Sequence, residues 1–114
     1  MRSILMLVAG AVFVAAACSS DPSGPTGGHS TTIQVRDNFF TPSPDTVPAG
    51  QVTFSWAGSA LHNVAWDTGP TLPTASGTMS SGTHPVTVQA GTYTYHCTLH
   101  GTAGTGMHGT IVVQ

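Results

Sequence analysis

The sequence predicts an all-β domain folded as a β-sandwich, and three observations carry that reading. Short apolar–polar alternations recur from about Thr31 onward, as in Thr32-Ile33-Gln34-Val35-Arg36 and Val52-Thr53-Phe54-Ser55-Trp56, the period of half-buried strands. Turn-forming residues punctuate these runs at the spacing of a sandwich. Composition agrees: 14 Gly and 8 Pro stand against only 5% charged residues, a profile of short strands and turns rather than helices. No helical period and no internal repeat is evident. At 114 residues the chain holds one domain at most.

The N-terminus reads as a targeting segment. Arg2 supplies a minimal positive region, and Ile4 to Ala17 is an apolar run of 14 residues ending in small side chains. A spanning helix needs about 20, so the run fits a signal peptide. Val14-Ala15-Ala16-Ala17-Cys18 is similar to a bacterial lipoprotein lipobox, with Ala15 where Leu is commoner. That resemblance implies that residues 1–17 are a lipoprotein signal peptide and that Cys18 carries the lipid. The chain would then be exported and anchored to a bacterial membrane, on the periplasmic side or at the cell surface. Residues 18–30 form the anchor cysteine and a Gly/Pro/Ser-rich linker, flexible by composition, with His29 solvated at its end. With Cys18 lipidated, Cys97 is the only remaining thiol and no intrachain disulfide can form. A lone thiol in an oxidising compartment needs a reason to persist, and metal ligation is one.

Residues 31–114 form the domain. Thr32 to Arg36 is the first expected strand, and Asn38-Phe39-Phe40-Thr41-Pro42 reads as a turn carrying two aromatics. Asp45 to Gly50 is a short edge segment followed by a turn. Val52, Phe54 and Trp56 alternate, as do Val64 and Trp66, Val86 and Val88, and Tyr93 and Tyr95. Thr68 to Thr83 is rich in Gly, Pro, Ser and Thr and reads as a long loop. Gly91 closes a tight turn between the last two long strands before the Cys97 loop.

The chemistry-bearing residues lie near the C-terminus. Tyr95-His96-Cys97-Thr98-Leu99-His100 offers a thiol and an imidazole, and Met107 adds a thioether seven residues later. Leu61-His62-Asn63-Val64 supplies a second imidazole on a different strand. Two His, one Cys and a more distant Met are the donor set of blue-copper electron-transfer sites. Soft sulfur donors favour Cu(I) while imidazole suits both oxidation states, so such a site can cycle with little rearrangement. Met79, in the long loop, and His108, beside Met107, are the other candidates for the weak axial position. Met79 reads as packing, and His108 should face away from Met107 if the segment is extended. His84 begins a strand and should be exposed, and Trp56 and Trp66 read as core.

The order Gly50-Gln51-Val52-Thr53-Phe54, His62-Asn63-Val64, Gly91 to Cys97 and Met107-x-Gly109-x-Ile111-Val112-Val113 resembles the plastocyanin-like cupredoxins. The resemblance spans nearly the whole domain and implies a Greek-key sandwich holding one copper ion. It implies that His62, Cys97, His100 and Met107 are the four ligands, and that Asn63 ties the His62 segment to the Cys97 loop near Thr98. Two features depart from the family pattern. Six residues, Gly101 to Gly106, separate His100 from Met107 where plastocyanins usually have four, and they read as a longer, Gly-rich loop. His96 stands where a surface aromatic is common, and strand alternation turns it away from the metal.

The resemblance implies a monomeric one-electron carrier cycling between Cu(I) and Cu(II) and exchanging with redox proteins in or near the membrane. Copper delivery or storage is the alternative. An enzyme is disfavoured, because multicopper oxidases carry a His directly after the Cys, where this chain has Thr98. The formal net charge is −2, with Arg2 and Arg36 the only cationic side chains. No basic patch exists to bind nucleic acid.

Overall fold

The computed structural model describes residues 28–114; the expected signal peptide, Cys18 and all but the end of the expected linker lie outside the described residues. Eight strands form two four-stranded sheets. They are β1 (Thr32–Arg36), β2 (Phe39–Thr41), β3 (Asp45–Val47), β4 (Gly50–Trp56), β5 (Ala65–Thr68), β6 (Thr83–Val88), β7 (Gly91–Thr102) and β8 (Thr105–Val113). One sheet runs β2-β1-β4-β6 and the other β3-β8-β7-β5. Only the β1–β2 and β7–β8 connections stay within a sheet, so the chain crosses the sandwich at every other link, as Greek-key connectivity requires. β1 runs parallel to β4 and β3 parallel to β8; the remaining pairs are antiparallel.

Alternation decides what is buried. Ile33 and Val35, then Val52, Phe54 and Trp56, then Val86 and Val88 point inward from the first sheet. Val47, Tyr93, Tyr95, Cys97, Met107, Ile111 and Val113 meet them from the second. Edge-to-face aromatics lock the two layers: Tyr95 lies 4.8 Å from Phe40 and 5.2 Å from Phe54, centroid to centroid. Such pairs contribute about 0.5–1.5 kcal/mol each beyond their burial. Pro85 is tolerated because β6 is an edge strand.

Three local expectations are corrected. Phe39-Phe40-Thr41 is strand β2, not turn; the turn is Asp37-Asn38, closed by the Arg36–Phe39 pair, with Asn38 at φ 72°. Asn is among the few residues that enter this left-handed region readily. The Gly-rich stretch after His100 is a hairpin rather than a loop. Gly101 pairs with Gly106 and Thr102 with Thr105, extending β7 and β8 beyond the sandwich. A Cβ at Gly106, whose φ is 71°, would stand 2.7 Å from the His100 carbonyl oxygen, so this hairpin needs glycine there. His84 is half-buried, not exposed, and its Nε2 meets the Thr74 carbonyl at 2.9 Å, pinning the long loop.

Asp45 is fully buried on β3, where Oδ1 accepts from Ser30 N–H at 2.9 Å and Oδ2 has no partner among the described residues. Burial raises its pKa above the usual carboxylate value. Because the folded pKa is raised, ionisation opposes folding, a penalty absent below the unfolded pKa and complete above the folded one. Asp45→Asn should therefore stabilise the domain by about 1 kcal/mol or more at pH 7. The gain should vanish below about pH 4, as urea denaturation at the two pH values would show.

Candidate copper centre

Cys97 sits on β7 with its side chain directed into the sandwich and fully buried, in register with the inward-facing Tyr93 and Tyr95. Three residues on, where the β7–β8 register shifts between His96 and Gly101, the strand turns His100 back over the sulfur. His100 Nδ1 lies 3.6 Å from Cys97 Sγ, and the residue is exposed. His62 arrives from the other side. It occupies the β4–β5 connection rather than a full strand, and backbone bonds to Met79 in both directions, each 2.9 Å, hold it. Trp56 Nε1–H donates to the His62 carbonyl at 3.1 Å. The His62 side chain is completely buried, with Nδ1 3.9 Å from Cys97 Sγ and 3.0 Å from His100 Nδ1.

These three donor atoms fit a metal ion. A triangle with sides of 3.0, 3.6 and 3.9 Å has a circumscribed circle of radius about 2 Å. A cation at its centre would stand at the length of ordinary metal–imidazole and metal–thiolate bonds, about 2.0–2.3 Å. Two neutral imidazoles and one thiolate match copper in both of its states. The site is half open: Cys97 and His62 are sealed in the core, and His100 forms its solvent edge.

Asn63 does what the sequence suggests. Its Nδ2–H donates to Thr98 Oγ1 at 2.7 Å, and its Oδ1 accepts from Thr98 N–H at 2.8 Å. The pair staples the His62 segment to the residue after Cys97. Met107 is buried on β8 within the same core cluster as Cys97, and His108 is exposed on the opposite face with Nδ1 bonded to the Gly106 carbonyl. Met79 packs against the core. His96 does turn away from the donor triangle, but it is not a free surface group, since its Nδ1 lies 2.9 Å from the Asp67 carboxylate.

Sequence reasoning missed one partner of the site. Asp37, in the β1–β2 turn, places Oδ1 2.9 Å from Nε2 of His62. The Asp-Asn dipeptide between two strand patterns signals a turn, but nothing in the chain signals where that turn lands. Met79 and Trp56 also clamp the His62 backbone, a role hidden behind their apolar character.

No family model and no curated protein matches the sequence. Solved structures do. The chain is similar to oxidised plastocyanin from Dryopteris crassirhizoma, at 25% identity over 73% of this chain and 99% of that one, with a TM-score of 0.57. An oxidised amicyanin variant aligns at 26% identity over 82% of this chain and 88% of that one, with a TM-score of 0.59. A copper-containing nitrite reductase from Thermus scotoductus SA-01 aligns at 21% identity and a TM-score of 0.58 over 73% of this chain, which spans only 22% of that protein. The fold is the cupredoxin sandwich. Within that class the chain is plastocyanin-like, and His62, Cys97 and His100 form a site that fits one copper ion.

Removing the Asn63 staple should loosen the triangle without emptying the core. Asn63→Ala should lower Cu(II) affinity about 10–100-fold, the usual effect of losing a group that orients ligands. A competition titration against a chelator would measure it, with near-ultraviolet circular dichroism confirming that the fold persists.

Proposed function

We propose that this protein is a mononuclear blue-copper electron carrier, with Met107 as its weak axial ligand. The observation that carries the reading is the donor triangle, two imidazole nitrogens and a buried sulfur on a circle of metal-bond radius. Copper, when bound, supplies the one-electron Cu(II)/Cu(I) couple. The chain's own contribution is constraint. Asn63, Trp56 and Met79 hold the His62 and Cys97 segments through hydrogen bonds that do not use the donor atoms, so the donors need little rearrangement when the charge changes. That favours an electron carrier over delivery, which profits from an open site that releases its metal. Met107 is the axial candidate because it is buried in the same core cluster as Cys97 while His108 is exposed.

His100 is the exposed ligand; Leu99, which precedes it in the chain, and Leu61, which precedes His62, are each about half exposed, at 51% and 53%. We assign this uncharged rim as the face that meets redox partners, with electrons passing through His100. An electron carrier is favoured over an enzyme by Thr98 following Cys97. The lipobox-like sequence ending at Cys18 supports a lipid-anchored, exported protein that works at a bacterial membrane.

Spectroscopy of the copper-loaded domain tests the centre. An intense thiolate-to-copper absorption band with narrow copper hyperfine splitting is expected, abolished in Cys97→Ser and shifted in Met107→Leu. Weak colour with ordinary tetragonal parameters would point to a copper-handling protein instead. The rim is tested separately. Leu99→Lys should leave the copper spectrum unchanged and slow electron exchange with a membrane redox partner at least tenfold, by stopped-flow.

A further inference from the structure

Asp37 is 25 residues from His62 in sequence, yet its carboxylate is built into the site. Oδ1 lies 2.9 Å from His62 Nε2 and accepts from Ala60 N–H at 2.9 Å. Ser59 N–H reaches both oxygens at 3.1 Å, and Ser59 Oγ–H donates to Oδ2 at 3.0 Å. The backbone makes room for it: a Cβ at Gly58 would stand 2.3 Å from Oδ1 and 2.8 Å from the Asp37 backbone nitrogen. Arg36, the adjacent cation, makes no ion pair with it; its guanidinium instead donates to Gln34 Oε1 at 2.9 and 2.6 Å. A carboxylate is ionised at neutral pH, so Asp37 is an anion, fixed by its own hydrogen bonds against the far side of a buried metal-ligand imidazole.

We propose that Asp37 is the positioning residue of this copper centre: its carboxylate fixes His62 as the Nε2–H tautomer, aims the Nδ1 lone pair at the metal, and biases the site towards Cu(II). The inference rests on the copper reading above and deepens it. A metal-bound His commonly donates its other N–H to a carboxylate, a carbonyl or water, and the partner sets ring orientation and raises ligand basicity. Of these partners only a carboxylate brings a full negative charge. That charge acts through the polarised imidazole and favours the more highly charged copper ion. Among the described residues Asp37, Asp45 and Asp67 are the only acids, and of these only Asp37 bonds to a member of the donor triangle. The side chain is 40% exposed, so water screens part of its field, and the effect is a moderate tuning of potential rather than a large one.

The test compares Asp37→Asn, which keeps an acceptor oxygen and removes the charge, with Asp37→Ala, which removes both. Two readouts are used. In the copper-loaded protein, Asp37→Asn should retain the blue band while its Cu(II)-over-Cu(I) preference falls about tenfold, a rise in reduction potential of about 59 mV for a one-electron couple. In the apo protein, the 15N imidazole spectrum should show a slowly exchanging Nε2–H on His62, retained in Asp37→Asn and lost in Asp37→Ala. An Asp37→Asn protein with an intact blue band and an unchanged potential would overturn the tuning role and leave Asp37 a loop support. A His62 proton on Nδ1 in the unsubstituted apo protein would overturn the tautomer assignment. Should the unsubstituted protein form no blue centre, the electron-carrier reading fails, and the apo spectrum still decides the tautomer.

Discussion

Three lone pairs brought within 4 Å of one another repel unless a cation or a proton lies among them. Cys97 Sγ, His62 Nδ1 and His100 Nδ1 are held in that relation by parts of the chain that have no contact in sequence. The sulfur is buried among aromatic and aliphatic side chains, where an uncompensated thiolate would be costly. One bound cation relieves both problems, since it neutralises the sulfur and separates the imidazoles. The domain can be understood as the framework that makes this convergence unavoidable.

That framework works by division of labour. The sandwich core, cross-linked by Phe40, Phe54, Trp66, Tyr93 and Tyr95, fixes β7 and with it Cys97. The β4–β5 connection is irregular and could not fix His62 alone. Met79 pairs with its backbone, Trp56 holds its carbonyl, Asn63 staples the next residue to Thr98, and Asp37 takes the far ring nitrogen. Every hydrogen-bonding group of the His62 residue is therefore occupied or aimed at the site. His100 is the contrast: it sits at the root of a Gly-rich hairpin and faces solvent, so the ligand that meets the outside is also the least constrained one.

The sandwich, its strands and the residues of the donor triangle were legible because each is written in a local pattern. Alternation marks the inward faces of β1, β4, β6 and β7, and Cys-x-x-His beside a glycine-rich turn marks the loop that holds two donors. The parallel pairing of β1 with β4 and β3 with β8 was not legible, because alternation shows which face is buried and not which strand lies alongside. The β1–β2 hairpin was misread for a related reason: Phe39 is exposed, so its strand shows no clean apolar face. The six residues after His100 look like loop by composition, yet close glycine pairing lets them continue both strands. Asp37 was invisible as a partner of His62, since its value depends wholly on where the hairpin tip lands.

On this reading the chain's own framework, not the copper oxidation state, fixes where the donors stand. X-ray absorption at the copper edge, on the Cu(I) and Cu(II) forms of the same sample, tests it most directly. Donors held by the framework give one short sulfur and two nitrogen neighbours at about 2.0–2.3 Å in both forms, with changes on the order of 0.1 Å between them. Loss of a nitrogen neighbour on reduction, or oxygen neighbours gained on oxidation, would contradict it and remove the basis for rapid electron exchange.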